Sequence, residues 1–302
     1  MIGSDIFTRS KLISFILVVF IVTISTVSAQ ADNIDFKKPA DGNKQVITLS
    51  DVSKIIGEII EINPDDIVFQ SEVGEFRFAK DKIIELKEIA GETIKDGSYW
   101  FKNPNTTRLF FAPTGRMLPK GKGYFSDYYV IFPGIAWGVS DNFTFGGGMS
   151  LVPGIDMDEQ IFYITPKVGI TTSEKLSIAA GAMIIGVPGA DFFDDVSPIG
   201  ILYGVGTFGG LDGSVSAGFG FGFVDDELAD NPMIMIGAEK RISRRVSFVT
   251  ENWLIPGADQ PLVSYGFRFF GEGLSVDIAM ATPLGDDFFF PGFPWIDFVI
   301  NF

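Results

Sequence analysis

The sequence predicts an all-β protein: a twelve-stranded antiparallel transmembrane β-barrel that follows a small β domain. Three observations predict it. The last two hundred of the 302 residues divide into runs in which apolar side chains alternate with small or polar ones. The connections between these runs are short and long in strict alternation. The chain also holds 35 glycines and 31 phenylalanines, which suits a barrel wall with small residues on one face and apolar side chains on the other.

The composition limits the chemistry that this chain can perform. It contains neither cysteine nor histidine, which excludes disulfide frameworks, thiolate nucleophiles, the Ser-His-Asp triad and ordinary zinc sites. The formal charge of −15 argues against nucleic acid as a partner. We therefore predict a protein that is not an enzyme and that needs no cofactor, with a histidine-free hydrolase as the remaining enzymatic alternative.

Residues 1–29 have the pattern of a signal peptide. Arg9 and Lys11 precede an apolar run over residues 12–24, and the small residues of Val27-Ser28-Ala29 predict cleavage before Gln30. The run is shorter than the roughly 20 residues that span a bilayer as a helix. An exported mature chain is the prediction, and an uncleaved anchor is the alternative.

The next segment, residues 30–90, predicts a small periplasmic β domain. Its short β-rich runs lie at residues 45–49, 54–62, 66–70, 75–79 and 82–89. Asn63-Pro64-Asp65 and Val73-Gly74-Glu75 are typical of turns between strands. Residues 91–105, rich in Gly, Asn, Asp and Pro, predict a linker.

Part of this segment resembles the SH3-like modules of bacterial envelope proteins. The resemblance is carried by Gly57-Glu58-Ile59, Ile67-Val68-Phe69, Gly74 and Ile83-Ile84-Glu85. It implies an SH3-like or Sm-like fold that acts as a contact or spacer domain in the periplasm. The periplasmic partner stays unnamed by the sequence.

Residues 106–302 predict the barrel. Its twelve candidate strands lie at about 107–113, 127–139, 143–153, 160–171, 175–187, 198–209, 214–224, 232–242, 246–255, 261–270, 274–283 and 294–302. Because bacterial barrels have short periplasmic turns and longer outer loops, both barrel ends are predicted on the periplasmic side. The predicted location is therefore the cell outer membrane, with residues 30–90 in the periplasm.

The alternation assigns the faces of the strands. In residues 214–223, Val215, Ala217 and Phe219 share one face, and the opposite face holds serine and glycine. The runs at 262–270 and 274–282 alternate in the same way. A soluble sandwich would show charged residues on its outer face, so the apolar face is predicted to contact lipid.

The last strand resembles the terminal strand of bacterial outer-membrane barrels. It places Ile296, Phe298, Ile300 and Phe302 on one face and ends on an aromatic residue. The resemblance implies that Phe302 is the signal read by the barrel-assembly machinery. A group of uncharacterised bacterial outer-membrane proteins is also similar, through Phe110-Phe111-Ala112-Pro113-Thr114, Lys122-Gly123-Tyr124, Val139-Ser140-Asp141-Asn142 and Gly146-Gly147-Gly148.

Three sets of charged residues are the candidate sites. The predicted lumen holds Lys167, Glu239, Arg241, Glu251, Arg268, Asp277 and Asp297. The predicted outer acidic rim holds Asp156, Asp158, Glu159, Asp191, Asp194, Asp195, Asp225, Asp226, Glu227, Asp230, Asp259, Asp286 and Asp287. The predicted basic outer loop holds Arg116, Lys120 and Lys122.

Each set has two interpretations. The lumen charges either brace the wall as ion pairs or line a solute path. The rim is either a solvated acidic surface or a weak Ca²⁺ or Mg²⁺ site, and the basic loop is either solvated or in contact with lipopolysaccharide phosphates. Two functions follow: a narrow channel for small hydrophilic solutes with a weak preference for cations, or an anchoring protein with a closed lumen whose periplasmic domain contacts other envelope components.

Overall fold

The structure is a computed structural model, and it describes residues 34–186, 199–225, 227–285 and 289–302. The predicted signal peptide lies outside the described residues. The chain divides into two compact units, Met1–Trp100 and Phe101–Phe302. Over the described residues, no helix is both long and apolar enough to cross a membrane.

The first unit is built around a five-stranded antiparallel sheet. Its strands are β1 (Asn43–Leu49), β2 (Lys54–Ile62), β3 (Asp66–Ser71), β4 (Gly74–Ala79) and β5 (Ile83–Ala90), in the order β4-β3-β2-β1-β5. All five predicted strands are confirmed to within two residues at either end. Ile47, Ile59 and Phe69 are fully buried and form the core of the sheet. Its SH3-like character stays a prediction.

The segment predicted as a linker has structure of its own. Gly91–Thr93 form a 3-10 turn, and β6 (Ile94–Lys95) pairs with β7 (Ser98–Tyr99). Residues 101–105 belong to the second unit. The barrel unit therefore begins five residues earlier than the predicted boundary at residue 106.

The second unit is a closed antiparallel barrel. Its strands are β8 (Gly123–Tyr128), β9 (Phe132–Ser140), β10 (Phe143–Met149), β11 (Phe162–Ile164), β12 (Lys167–Ser173), β13 (Leu176–Gly186), β14 (Ile199–Gly210), β15 (Gly213–Val224), β17 (Met233–Ser243), β18 (Val246–Leu254), β19 (Leu262–Phe270), β20 (Leu274–Pro283) and β21 (Phe293–Asn301). The short β16 (Glu227–Leu228) pairs with β15 in a loop. β21 pairs with β8 and closes the ring.

The wall consists of twelve strands. β11 and β12 lie between β10 and β13 as one strand, interrupted at Thr165 and Pro166. Pro166 has no N–H to donate to a ladder, which accounts for a break there. At the seam, Gly123 and Phe302 exchange two backbone hydrogen bonds of 3.0 and 2.9 Å. The predicted twelve-stranded antiparallel barrel is confirmed.

Two of the predicted strands are wrong. The predicted total of twelve is still correct, because one of them is absent from the wall and the other covers parts of two wall strands. Residues 107–113 form no wall strand, and residues 127–139 cover parts of both β8 and β9. The turn between β8 and β9 carries none of the usual turn residues. Instead Tyr129 and Val130 adopt left-handed φ angles of 56° and 64°. Because those residue types favour strands, the sequence showed no turn there.

The predicted faces of the wall are confirmed. On β15, Phe219 is 58% exposed and Val215 is 53% exposed, while Ser216 is buried. On β21, Ile296 and Ile300 are exposed, and Asp297 is buried. A closed wall satisfies its own backbone hydrogen bonds and presents an apolar exterior, which are the two requirements for crossing a bilayer with strands. The second unit is a transmembrane β-barrel.

Candidate functional site

The barrel lumen contains a segment of the chain itself. Residues 101–122, here called the lumen hairpin, precede β8, and all but the exposed residues 119–122 at its end lie inside the wall. A tight turn bends the hairpin back on itself: Leu109 N–H donates to Ala112 O at 2.8 Å, and Thr114 N–H donates to Thr107 O at 2.9 Å. Leu109, Phe110 and Ala112 are buried against inward-facing wall residues. The prediction that residues 107–113 are a wall strand is thereby corrected.

The two ends of the barrel differ. The end that carries the five short connections before β10, β13, β15, β18 and β20 is here called the short-turn end. The opposite end, with connections such as residues 150–161 and 255–261, is called the long-loop end. Phe101 packs against Phe270 at the short-turn end, with ring centroids 6.1 Å apart. The lumen hairpin thus enters and leaves through the short-turn end.

Arg268 on β19 is the centre of the contacts between wall and hairpin. Its side chain is fully buried and forms a bidentate pair with Asp277 on β20, with both N···O distances 2.8 Å. A further nitrogen lies 3.1 Å from a carboxylate oxygen of Glu239. Arg268 also donates to the hairpin carbonyls of Asn105 at 2.5 Å and Leu109 at 2.7 Å. One guanidinium therefore joins two wall carboxylates to the hairpin.

A second buried ion pair joins the hairpin to the wall. Arg108 of the hairpin donates to Asp297 on β21 and to the hydroxyl of Tyr128 on β8. Arg108 and Asp297 are both buried. Tyr128 and Asp297 face each other across the seam that closes the ring. The hairpin therefore also links the first and last strands of the barrel.

The remaining lumen charges hold the hairpin through its backbone. One oxygen of Glu251 accepts from the backbone N–H groups of Phe111 and Ala112, each at 3.0 Å. The Lys167 ammonium donates to the carbonyls of Thr114 at 3.0 Å and Arg116 at 2.7 Å. These contacts fix the hairpin through its backbone N–H and C=O groups.

Two wall charges near the short-turn end complete the set. Asn103 donates to Glu239 at 2.5 Å, and Arg241 donates to the carbonyl of Phe101 at 3.0 Å. All seven predicted lumen charges are thus buried, and six contact the hairpin directly. The seventh, Asp277, does so through Arg268. These contacts join the hairpin to the wall.

Close approach of the hairpin to the wall requires small residues. A Cβ at Gly115 would lie 2.2 Å from the carbonyl oxygen of Ser177, and one at Gly237 would lie 2.3 Å from Leu109 Cδ1. Gly115 N–H also donates to the hydroxyl of Thr207 at 2.8 Å. Gly115 and Gly237 therefore make room for the close approach of hairpin and wall.

The predicted basic outer loop is wrong in its placement. Arg116 donates to the carbonyls of Gly209 and Gly210 in a short turn, at 3.1 and 2.8 Å. The backbone N–H of Lys120 donates to Asp141, in the two-residue turn before β10. Lys122 directly precedes β8 at the same end. The three residues therefore lie at the short-turn end, so the long-loop contact with lipopolysaccharide does not apply to them.

The described part of the acidic rim lies in the connections of the long-loop end. Its exposed members are Asp156, Asp158, Glu159, Asp225, Glu227, Asp230 and Asp259. The other six, Asp191, Asp194, Asp195, Asp226, Asp286 and Asp287, lie outside the described residues. Among the residues that the structure describes, no three acidic side chains come together in a group fit to hold a metal ion.

The half of the lumen toward the long loops is apolar. Inward-facing Met183, Ile201, Met235, Trp253 and Trp295 line a cavity of about 450 Å³. Phe111 and Pro113 of the hairpin also border this cavity. The sequence analysis missed both the hairpin and this cavity. The alternating pattern showed which side chains face inward, but it located no apolar cluster at one end of the lumen.

Comparison with known proteins gives structural resemblances only. No protein-family model matches the chain, and no curated protein matches it. A KdgM porin is similar with a TM-score of 0.40 at 7% identity, covering 60% of this chain and 95% of that one. OmpF of Salmonella typhi, in a complex with daunomycin, gives a TM-score of 0.32 at 10% identity, covering 86% and 95%. OmpT of Vibrio cholerae gives 0.29 at 14% identity, covering 86% and 94%.

Proposed function

We propose that this protein is an outer-membrane barrel that acts as a gated, narrow channel, with the lumen hairpin as its gate. The observation that carries the proposal is the set of contacts between the hairpin and all seven lumen charges, made directly or through Arg268. The hairpin packs through Leu109, Phe110 and Ala112, but most of its contacts with the charged wall residues are polar contacts that water can replace. The resting lumen is closed at the short-turn end.

The location rests on the wall. Bacterial barrels of this kind have short periplasmic turns, so the short-turn end and the hairpin face the periplasm. A tag in residues 225–231 should be labelled on intact cells, and a tag in residues 243–245 should not. The reverse pattern would contradict this orientation.

Conductance in a planar bilayer tests the gate. The wild-type barrel should show rare or brief openings, and a variant with residues 104–117 replaced by a flexible linker should conduct steadily. Arg268→Met, which removes the central contact, should raise the frequency of openings. Arg245→Met changes an exposed arginine at the same end and should leave the record unchanged.

The alternative function is an anchor with a permanently closed lumen. The density of buried contacts favours it, because each broken contact leaves a polar group to be hydrated. Heat-modifiable migration on gels establishes whether each variant barrel is folded. A folded variant that lacks the hairpin and still does not conduct would contradict the channel and leave the anchor.

Two further parts of the chain have proposed roles in the envelope. The five-stranded sheet of the first unit serves as an SH3-like contact or spacer domain in the periplasm. Phe302 serves as the signal for the barrel-assembly machinery, supported by its position at the end of the closing strand with a half-exposed ring.

A further inference from the structure

The two halves of the lumen have opposite character. Toward the short turns, the inward-facing residues are charged and engaged by the hairpin. Toward the long loops, inward-facing positions on β13, β14, β17 and β18 hold Met183, Ile201, Met233, Met235 and Trp253. A path for hydrophilic solutes would be expected to carry polar groups at these positions. This half of the lumen is here called the chamber, and its mostly apolar lining favours binding of an uncharged molecule over a hydrated ion.

The chamber ends at the hairpin. The ring of Phe111 at the hairpin turn lies 6.2 Å from the ring of Tyr128 and 6.5 Å from that of Trp295, centroid to centroid. These aromatic contacts join the hairpin to the wall at the bottom of the chamber. The volume of about 450 Å³ falls within the range of roughly 300–1,000 Å³ typical of small-molecule pockets.

The two charged groups that border the chamber already have hydrogen-bond partners in the protein. Arg108 and Lys167 border it. The guanidinium of Arg108 is paired with Asp297, and the Lys167 ammonium meets three backbone carbonyls, those of Thr107, Thr114 and Arg116. Three carbonyls match the three donors of an ammonium group. The exposed carboxylates of the long loops would also repel an anion at the entrance.

We propose that the chamber binds one compact, neutral, apolar molecule, of the class of substituted aromatic rings. Aromatic and methionine side chains offer ring faces and polarisable sulfur to such a ligand, and the exposed carboxylates of the long loops disfavour its acidic analogue. This inference rests on the proposed function, because it names the class of molecule that the proposed channel would admit from outside the cell. Binding to the chamber needs no opening of the gate.

Tryptophan fluorescence tests the proposal with a neutral brominated ring, 4-bromobenzyl alcohol, as the probe. The wild-type protein in nanodiscs should show saturable quenching, because Trp253 and Trp295 line the chamber. The double variant W253F/W295F should lose the saturable part. The matched variant W137F, which removes an exposed tryptophan from the outer face, should keep it.

Two further arms test the site and the ligand class. Ile201→Asn places a polar group in the chamber and should weaken binding at least tenfold, while Leu202→Thr, at the neighbouring lipid-facing position, should leave it within twofold. The acidic analogue 4-bromobenzoate should bind at least tenfold more weakly than the alcohol. Quenching that never saturates, or that persists unchanged in Ile201→Asn, would overturn the chamber as a site.

Equal binding of acid and alcohol would overturn the neutral class of ligand. The conductance of the variant without the hairpin is a separate measurement. A failure of binding and a failure of gating are therefore distinguishable.

Discussion

At the scale of single residues, Arg268 has the largest structural role in the lumen. Arginine suits the position because its guanidinium presents five donors in a fixed plane and keeps its charge. In this barrel it meets two carboxylates and two backbone carbonyls while fully buried. Removing it would leave Asp277 and Glu239 buried without a positive partner, and that loss outweighs the value of the pairs themselves.

We therefore expect Arg268→Met to lower the free energy of unfolding by about 3–5 kcal/mol, the range for breaking a buried ion pair. Urea unfolding in lipid vesicles measures the change. Adding Asp277→Leu to this variant should recover part of the loss, because one of the unpaired carboxylates is then gone. Arg245→Met should stay within about 0.5 kcal/mol of wild type, as exposed substitutions do. A loss from Arg268→Met no larger than this would show that the network is hydrated in solution.

At the scale of elements, the wall was predictable and the hairpin was not. Strands such as β15 have a period-two pattern that any observer of the sequence can read. The hairpin instead makes contacts between residues far apart in the chain, such as Arg268 with Asn105. Many of those contacts use backbone carbonyls and N–H groups, which every residue type carries. The apolar run Leu109-Phe110-Phe111-Ala112 is therefore compatible with a wall strand as well as with the lumen hairpin.

The turn between β8 and β9 is a testable weakness of the wall. Val130 is β-branched, has a φ of 64° and is 71% exposed, so it carries the cost of a left-handed conformation with little packing in return. We expect Val130→Gly to raise the free energy of unfolding by about 1 kcal/mol. Val139→Gly, in the extended β9, should lower it. A loss of stability from Val130→Gly would contradict the turn geometry.

The lipid-facing surface gives a second prediction for an element. Phe219→Arg places a charge on the outward face of β15 and should cost about 2–4 kcal/mol if the residue lies near the bilayer midplane. Gly222→Ser is the matched inward change in the same strand, where a Cβ would meet its nearest neighbour only at 3.9 Å. Folding yield and urea stability in vesicles measure both. Equal tolerance of the two changes would show that the faces are reversed.

At the scale of the whole molecule, the barrel combines a wall predictable from alternation with a lumen divided along its axis. The half toward the short turns is polar, and the hairpin closes it. The half toward the long loops is mostly apolar and lies beneath exposed acidic loops. The described members of the acidic rim lie at the long-loop end. Arg116, Lys120 and Lys122, which the sequence placed beside them, lie at the short-turn end. Charge is therefore separated along the barrel axis, and this separation matters once the lumen is open.

The last prediction concerns ion selectivity in the variant without the hairpin. Its open lumen should prefer cations at low salt, because the acidic rim lowers the electrostatic potential at the outer entrance. The preference should fade as the Debye length falls from about 10 Å at 0.1 M salt to about 3 Å at 1 M. Reversal potentials under a salt gradient measure it at both concentrations.

Lys167, Arg241 and Arg268 oppose this preference from within the wall, so the selection should be modest. Neutralising Asp225, Glu227 and Asp230 together should weaken the preference and leave the conductance nearly unchanged, because these exposed side chains border the entrance and not the narrow part of the lumen. As a matched control, neutralising exposed Asp141 at the short-turn end should have a smaller effect. Anion preference at low salt would contradict the assignment of the rim, since the lumen charges would then dominate the field.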